Sequence, residues 1–500
     1  MKEFSYKQIA AAVGGEIVGA DPELRTAGPV VTDSRDVSPG AVYVARRGES
    51  LDGLDFAASA VQEGAALVIG EEVVHVDGVP LPSIVVEDAT VALGLLAHAN
   101  VTALRAKAPT GSDAGQPAGA AAVDHGGLKV VAITGSAGKT TTKDLLADFL
   151  VSLGQTVWPP NSFNNEVGVP LTALRADEDT RFLVLEMGAR EPGNLSYLTS
   201  LVRPDIAVEL NVGSAHSGIF GSVEATAKAK AELVQSLDSD GIAVLNLDDD
   251  RVANMASKVA DGVGIVWFSL SGRQHSTQPT VWAEDVTSDA TGRTSFLLCL
   301  PDGQTAQIQL ALLGEHHVAN ALAAAAAAWR MGVSLTTIST VLATSGAASR
   351  WRMELVDSPS GVTVLNDAYN ANPDSMRSAL KTLATMGRGD AQNPPRRTWA
   401  VLGEMLELGE SSVEEHDSIG RLVVRLNISR LLAVGEGARP IYQAANLEGS
   451  WGEEAAWVPD VAAARAFLNE SLSPGDLVLF KSSRDAGLRY LGDDVAGVTQ

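Results

Sequence analysis

The stretch AITGSAGKTTTKDLL (132–146) has the residue types and spacing of a phosphate cradle. A continuous apolar run runs into a Gly-rich turn, and a helix then opens on Lys and Thr. Gly135 and Gly138 let the backbone N–H groups of Ser136, Ala137 and their neighbours face an anion. The positive end of the following helix attracts the same charge. Lys139 can reach β- and γ-phosphates, while Thr140, followed by Thr141, can offer its hydroxyl to Mg²⁺. The common motif has a further Gly five residues before the Gly-Lys pair, where this chain has Ile133, so the loop is a shorter GxxGKT variant. Such a cradle implies a nucleoside triphosphate but not a reaction.

Other residues narrow the chemistry only in combination. Glu186 ends the apolar run in LVLEMGA, and a carboxylate at a strand's C-terminal edge is a usual partner for P-loop Mg²⁺. Taken alone it reads more often as a solvated strand end, and the neighbouring P-loop favours the metal role. His216 follows DIAVELNVGSA, Lys228 and Lys230 lie in ATAKAKAELV, and Asn320 in HHVANALA. Arg352 lies in SRWRMEL and Asp367 in VLNDAYNANPDS. Individually these read as a polar loop, a solvated helix face and turn residues.

Three α/β units must position them. AVYVARRG (41–48), DFAASAVQEG (55–64) and AALVIG (65–70) give a strand–helix–strand rhythm for a small N-terminal α/β domain at 1–105. A stretch rich in Ala, Gly and Pro at 106–127 reads as a flexible linker. LKVVAIT (128–134), RFLVLEMG (181–188), DIAVELNV (205–212) and GIAVLNLD (241–248) predict buried parallel strands. With the Ala-rich helix 316–332 they define a central doubly wound P-loop ATPase domain at 128–347. RTWAVLGEM, RLLAVGEG and GDLVLFKSSR predict a third, Rossmann-like α/β domain over 348–500.

Composition sets the bounds. The 500 residues carry 37 Lys+Arg against 61 Asp+Glu, a net charge of −24, which argues against nucleic-acid binding. The single cysteine, Cys299, excludes an intramolecular disulfide and suits a reducing cytoplasm. The start lacks a signal peptide's apolar core, and no apolar run approaches the ~20 residues of a membrane span.

In order along the chain, ITGSAGKTTTK, NNEVGVP, LEMGA, NVGSAH, AKAKAEL, HHVANALAAAAA, RWRMEL and NDAYNANPDSM resemble the Mur ligase family. The resemblance covers nearly the whole chain outside 106–127 and the loop near 387–396. It implies an ATP-dependent amide-forming enzyme acting through an acyl phosphate, with two Mg²⁺ ions. Thr140 and Glu186 match ligands of the first ion. His216 matches a ligand of the second, completed by a lysine carbamylated by CO₂. Lys230 fits that lysine better than Lys228. Lys139, His216 and Lys230 are thereby the catalytic set, and Asn320, Arg352 and Asp367 match nucleotide contacts.

GSAGKTTTKD, FNNEVGVPLT, DAYNANPDSM and VLGEMLELGESSVEEHDSIG (401–420) imply the member that joins D-Ala-D-Ala to UDP-MurNAc-tripeptide, acting as a cytoplasmic monomer. Ser34 and Arg35 would meet the UDP-sugar, with Gly48, Asp52 and Gly53 shaping the loop beside them. Asn164, Asn165, Tyr369, Asn370 and Asn372 would face substrate. Lys481, Ser483 and Arg484 match a further motif, with Ser482 where a Gly is usual. Ser162 likewise stands where a Gly is frequent. The competing expectations are a Mur-type or folylpolyglutamate-synthase-like ligase adding one amino acid, a P-loop kinase or switch, and a non-catalytic nucleotide-binding module.

Overall fold

The computed structural model describes residues 1–48, 51–106, 127–213, 221–347, 349–449 and 454–498. His216 and linker positions 107–126 lie outside these residues. Three sheets dominate the architecture, of five, nine and six strands in chain order. Each has helices packed on it, as expected of α/β units whose strands are apolar on both faces.

The nine-stranded sheet carries the P-loop. Its strand Lys129–Thr134 lies between Phe182–Glu186 and Ile206–Glu209, both parallel to it. In register, Ile133 pairs with Glu186 and Thr134 with Glu209, so the flanking strands deliver two carboxylates to the edge where the P-loop begins. The apolar run makes this possible: Val130, Val131, Ala132 and Ile133 are wholly buried between helical layers. The Ala-rich segment forms helix His316–Arg330, whose small side chains at 321–328 are all buried. Its partner, the P-loop helix Lys139–Leu150, buries Leu145, Leu146, Phe149 and Leu150.

One part of this sheet departs from the doubly wound expectation. After the parallel strand Gly264–Ser269 come Thr280–Ser288, Arg293–Cys299 and Thr305–Leu313, the last two pairing antiparallel as a meander. Their exposed faces break the apolar runs by which the parallel strands were recognised, as in QIQLALL.

The N-terminal sheet shares a core with the central one. A single apolar cluster runs from Ile9, Leu93 and Leu96 to Leu183, Leu195 and Leu245. Asn100, fully buried, donates to the carbonyls of Ala173 and Ala176, each at 3.0 Å, and accepts from Lys2 N at 2.9 Å. The C-terminal six-stranded sheet has its own cores on its two faces, with Leu313 reaching into one of them.

Candidate active site

The P-loop is shaped by its glycines. Gly138 holds φ +87°, and a Cβ there would lie 2.2 Å from Asn320 Oδ1. The matched Asn320 is therefore packed directly on the loop. Asn211 closes it from the other side, accepting from Ala137 N at 2.9 Å and donating to Ala137 O at 3.1 Å. Gly213 N donates to Ser136 Oγ at 2.9 Å. Lys139 Nζ folds back on Gly135 O at 2.7 Å. Burial pushes the Lys139 pKa down, against the pull of Glu186 upward. An anion in the loop would supply the compensating charge.

Thr140 Oγ1 donates to Glu186 Oε2 at 2.7 Å, and Asn164 Nδ2 donates to Glu186 Oε1 at 2.9 Å. Two hard oxygen donors thus meet beside the cradle, a donor set suited to Mg²⁺. Among the described residues no group of three or more His, Cys, Asp or Glu side chains is placed to hold a metal.

Behind Lys139 lie two buried groups. Lys230 is 2 % exposed and Glu209 fully buried, with neither Glu209 oxygen hydrogen-bonded. Burial pushes the Lys230 pKa down, and neighbouring Lys139 pushes it the same way. Burial raises that of Glu209, while Lys230 opposes the rise. Each charged form is disfavoured by lost solvation, and the opposite charge of the other partly offsets that cost.

The C-terminal sheet completes a cleft of about 910 Å³. Arg352 enters it from a turn whose flanking residues, Trp351 and Met353, both have left-handed φ (+59° and +53°). That is uncommon for such side chains and needs anchoring. Trp351 Nε1 is anchored on both Asp493 oxygens at 3.0 Å, and Met353 N donates to Asp367 Oδ1 at 3.1 Å. The Arg352 guanidinium lies 4.5 Å from the centre of the Tyr369 ring. Buried Lys481 bonds Asp367 Oδ2 at 2.5 Å and donates to Asn370 O at 3.2 Å. Asn372 caps helix Pro373–Arg388 through Oδ1, while its Nδ2 reaches Ser136 O of the P-loop at 3.4 Å.

Ser136, Ala137, Gly138, Lys139, Thr140, Thr141, Asn164, Asn165, Glu186, Asn320, Arg352, Asp367, Tyr369, Asn370 and Asn372 thus line one cleft. Gly135 starts the loop behind it. Asn165 Oδ1 is spent on the start of helix Gly168–Ala173, accepting from Gly168 N at 3.0 Å. Ser34 and Arg35 lie elsewhere, in the N-terminal domain, where Arg35 pairs with Asp33 at 2.5 Å and stays 86 % exposed. Asn211, Glu209 and His317, whose Nδ1 lies 3.2 Å from Asn320 Nδ2, were not singled out from sequence. For Asn211 the signal was a polar residue immediately after an apolar strand, inside a motif already noted.

A P-loop, a Thr–carboxylate pair for a metal and cations from a second α/β domain, converging on one cleft, are the equipment of an ATP-using enzyme with a two-domain site. Known proteins make the class specific. The Mur ligase middle domain matches residues 133–328, the Mur ligase glutamate ligase domain 351–484 and the Mur ligase family catalytic domain 29–105. UDP-N-acetylmuramoyl-tripeptide–D-alanyl-D-alanine ligase of Mycobacterium leprae is 43% identical, with 99% of each chain covered. The Escherichia coli enzyme of the same name is 32% identical, with 92% of each covered. The crystal structure of MurF from Acinetobacter baumannii superposes with a TM-score of 0.83 at 29% identity over 99% of both chains. That of Thermotoga maritima MurF in complex with ADP gives 0.73 at 26% identity, covering 94% of this chain and 98% of that one. The chain belongs to the Mur ligase family.

Proposed function

We propose that this protein joins D-alanyl-D-alanine to UDP-N-acetylmuramoyl-tripeptide at the expense of ATP. The observation that carries the reading is the shared cleft, in which the P-loop and Glu186 of one domain face Arg352, Asp367 and Lys481 of another. The full-length likeness to ligases of that name agrees with it.

The chemistry requires an anionic carboxylate to attack the γ-phosphorus of ATP, so cations must offset their repulsion. The P-loop amides and Lys139 hold the β- and γ-phosphates, and Arg352 approaches from the opposite wall. Thr140 and Glu186 would hold Mg²⁺, which would supply charge to offset that of the phosphates. The tripeptide carboxylate oxygen forms its bond to phosphorus as the bond to the ADP oxygen breaks. The dipeptide amine then attacks the acyl carbon, loses a proton and expels phosphate. Asp367 and Lys481, tied together, fix the loop carrying Tyr369 and Asn370 at the acceptor side.

The second metal site is assigned to His216 and a carbamate on Lys230. Formation of the carbamate needs an uncharged amine to attack CO₂ and release a proton, and burial favours that uncharged form. The N-terminal domain, 1–105, receives the UDP-sugar at Ser34 and Arg35, 128–347 binds ATP, and 348–500 completes the site. The chain acts as a cytoplasmic monomer. Among the described residues no helix is long and apolar enough to cross a membrane.

The test is phosphate release by the purified chain with ATP, UDP-MurNAc-tripeptide and either D-Ala-D-Ala or single amino acids, with product mass measured. Release and a pentapeptide product only with the dipeptide are expected. Turnover only with a single amino acid would replace this acceptor assignment.

A further inference from the structure

The Ser162 hydroxyl stands at the junction of the two halves of the site. Arg352 Nη2, from the C-terminal domain, donates to Ser162 Oγ at 2.7 Å. Ser162 Oγ lies 2.8 Å from Thr140 Oγ1, which in turn lies 2.7 Å from Glu186 Oε2. The direction of this chain is fixed by its ends. A guanidinium can only donate and an ionised carboxylate can only accept. Thr140 therefore gives its proton to Glu186, and Ser162, whose oxygen already accepts from Arg352, gives its own to Thr140. One Thr140 lone pair remains free, beside the carboxylate, for a cation.

We infer that Ser162 is a positioning residue that couples Arg352 of the C-terminal domain to the metal-binding hydroxyl of Thr140. The inference rests on the proposed reading of Thr140 and Glu186 as a metal site. Arg352 polarises the Ser162 hydroxyl, Ser162 sets the rotamer of Thr140, and hydrogen bonds aligned in one direction reinforce each other. The buried Nε–H of Arg352 has no hydrogen-bond partner, so the Nη2 bond to Ser162 is what orients the guanidinium. A Gly at 162 would offer no such bridge. Arrival of the C-terminal domain and ordering of the metal ligand are thereby one event in this chain.

The test uses the full-length protein with ADP and Mn²⁺, reading free Mn²⁺ by electron paramagnetic resonance without any turnover. Ser162→Ala is expected to weaken Mn²⁺ binding in the ADP complex about fivefold, the size of one net hydrogen bond. Ser162→Thr, which keeps the hydroxyl, is expected to stay within about twofold of the unmodified protein. In an Arg352→Ala background, Ser162→Ala should cost less than about twofold, because the residues act as a unit. Thermal melts of the two Ser162 variants report whether the fold is intact. Unchanged Mn²⁺ affinity in Ser162→Ala, with tight binding by the unmodified protein, overturns the inference alone. An undiminished effect in the Arg352→Ala background overturns the coupling to the C-terminal domain. Failure of the unmodified protein to bind Mn²⁺ with ADP overturns the metal-site reading and this inference together.

Discussion

At the scale of single residues, the site separates groups that handle charge from groups that hold them still. Lys139 belongs to the first kind, since its ammonium is desolvated beside a loop built for phosphate. Replacing Lys139 with Ala is expected to lower phosphate release on the order of a thousandfold, the cost of losing a preorganised charge donor. Its melting temperature should change little, because Nζ bonds only its own loop. His416 belongs to the second kind and gives a physical role to a residue of the 401–420 motif. Its Nδ1–H donates to Ser412 O at 2.6 Å and its Nε2 accepts from Met405 N at 2.9 Å, holding the loop that carries Leu406 and Glu407 into the cleft. Only the neutral ring can do both. Burial accordingly holds His416 below the usual histidine pKa of 6.5, and it pushes His316 down to about 4. With folded values depressed, the unfolded chain binds more protons below pH 6.5, so stability is complete above that pH and is lost as pH falls toward 4. Thermal melts from pH 8 to pH 4.5 should show that decline, and His416→Gln should flatten part of it. An equally steep decline in the variant would remove His416 from the account.

At the scale of elements, what was legible followed from how strongly a segment's pattern reflects its own burial. The expected strand at 128–134 is Lys129–Thr134, and those at 181–188, 205–212 and 241–248 likewise shorten to their buried cores. The meander from 280 to 313 was not legible, because a sheet edge with one wet face has no continuous apolar run. The P-loop could be read directly, since its glycines, Lys and Thr follow one another in sequence. The carboxylate–hydroxyl–guanidinium chain could not, because Thr140, Ser162 and Arg352 meet only through folding, the last two 190 positions apart. Glu209 was hidden for another reason: inside AVELN it passes for a strand end, yet register places it beside Thr134 and away from water. Gly138 offers the sharpest test of the loop as an element. Gly138→Ala forces a Cβ onto Asn320 at a left-handed φ, so both strain and clash oppose it. It should destabilise the fold by about 1–3 kcal/mol and weaken ADP binding, read by denaturant melts and calorimetry. Relief of the defect by a second change, Asn320→Ala, would show that the clash rather than the dihedral dominates.

At the scale of the whole molecule, the three sheets make two bodies. The N-terminal and central sheets are joined by a common apolar core, by Asn100, and by Asp205, which bonds Arg105 at 2.7 Å and Lys129 at 3.0 Å. The C-terminal sheet meets the central one through polar contacts, Arg352 with Ser162, Ser349 with Asp144 at 2.9 Å and Asn372 with Ser136, and through Leu313, which packs into its core but joins no continuous apolar cluster with the rest of the central sheet. Polar, solvated interfaces contribute less than shared cores, and they are the ones that can open. A net charge of −24 also gives little long-range attraction to anionic nucleotides, so affinity must come from short-range donors in the cleft. Calorimetry without nucleotide should therefore resolve two unfolding transitions, the N-terminal and central sheets melting together and the C-terminal sheet separately. On the proposed reading of the cleft as a nucleotide site shared by both bodies, Mg²⁺ with ADP should raise the C-terminal transition toward the other by mass action. Asn100→Ala should lower the joint transition by about 2–4 kcal/mol, since the Ala176 carbonyl and the Lys2 amide lose their Asn100 partner while Ala173 O keeps only its bond from Ala176 N. It should leave the C-terminal transition in place. Separate melting of the N-terminal sheet in the unmodified protein, or a single transition for all three, would mean that the weakest junction does not lie between the central and C-terminal sheets.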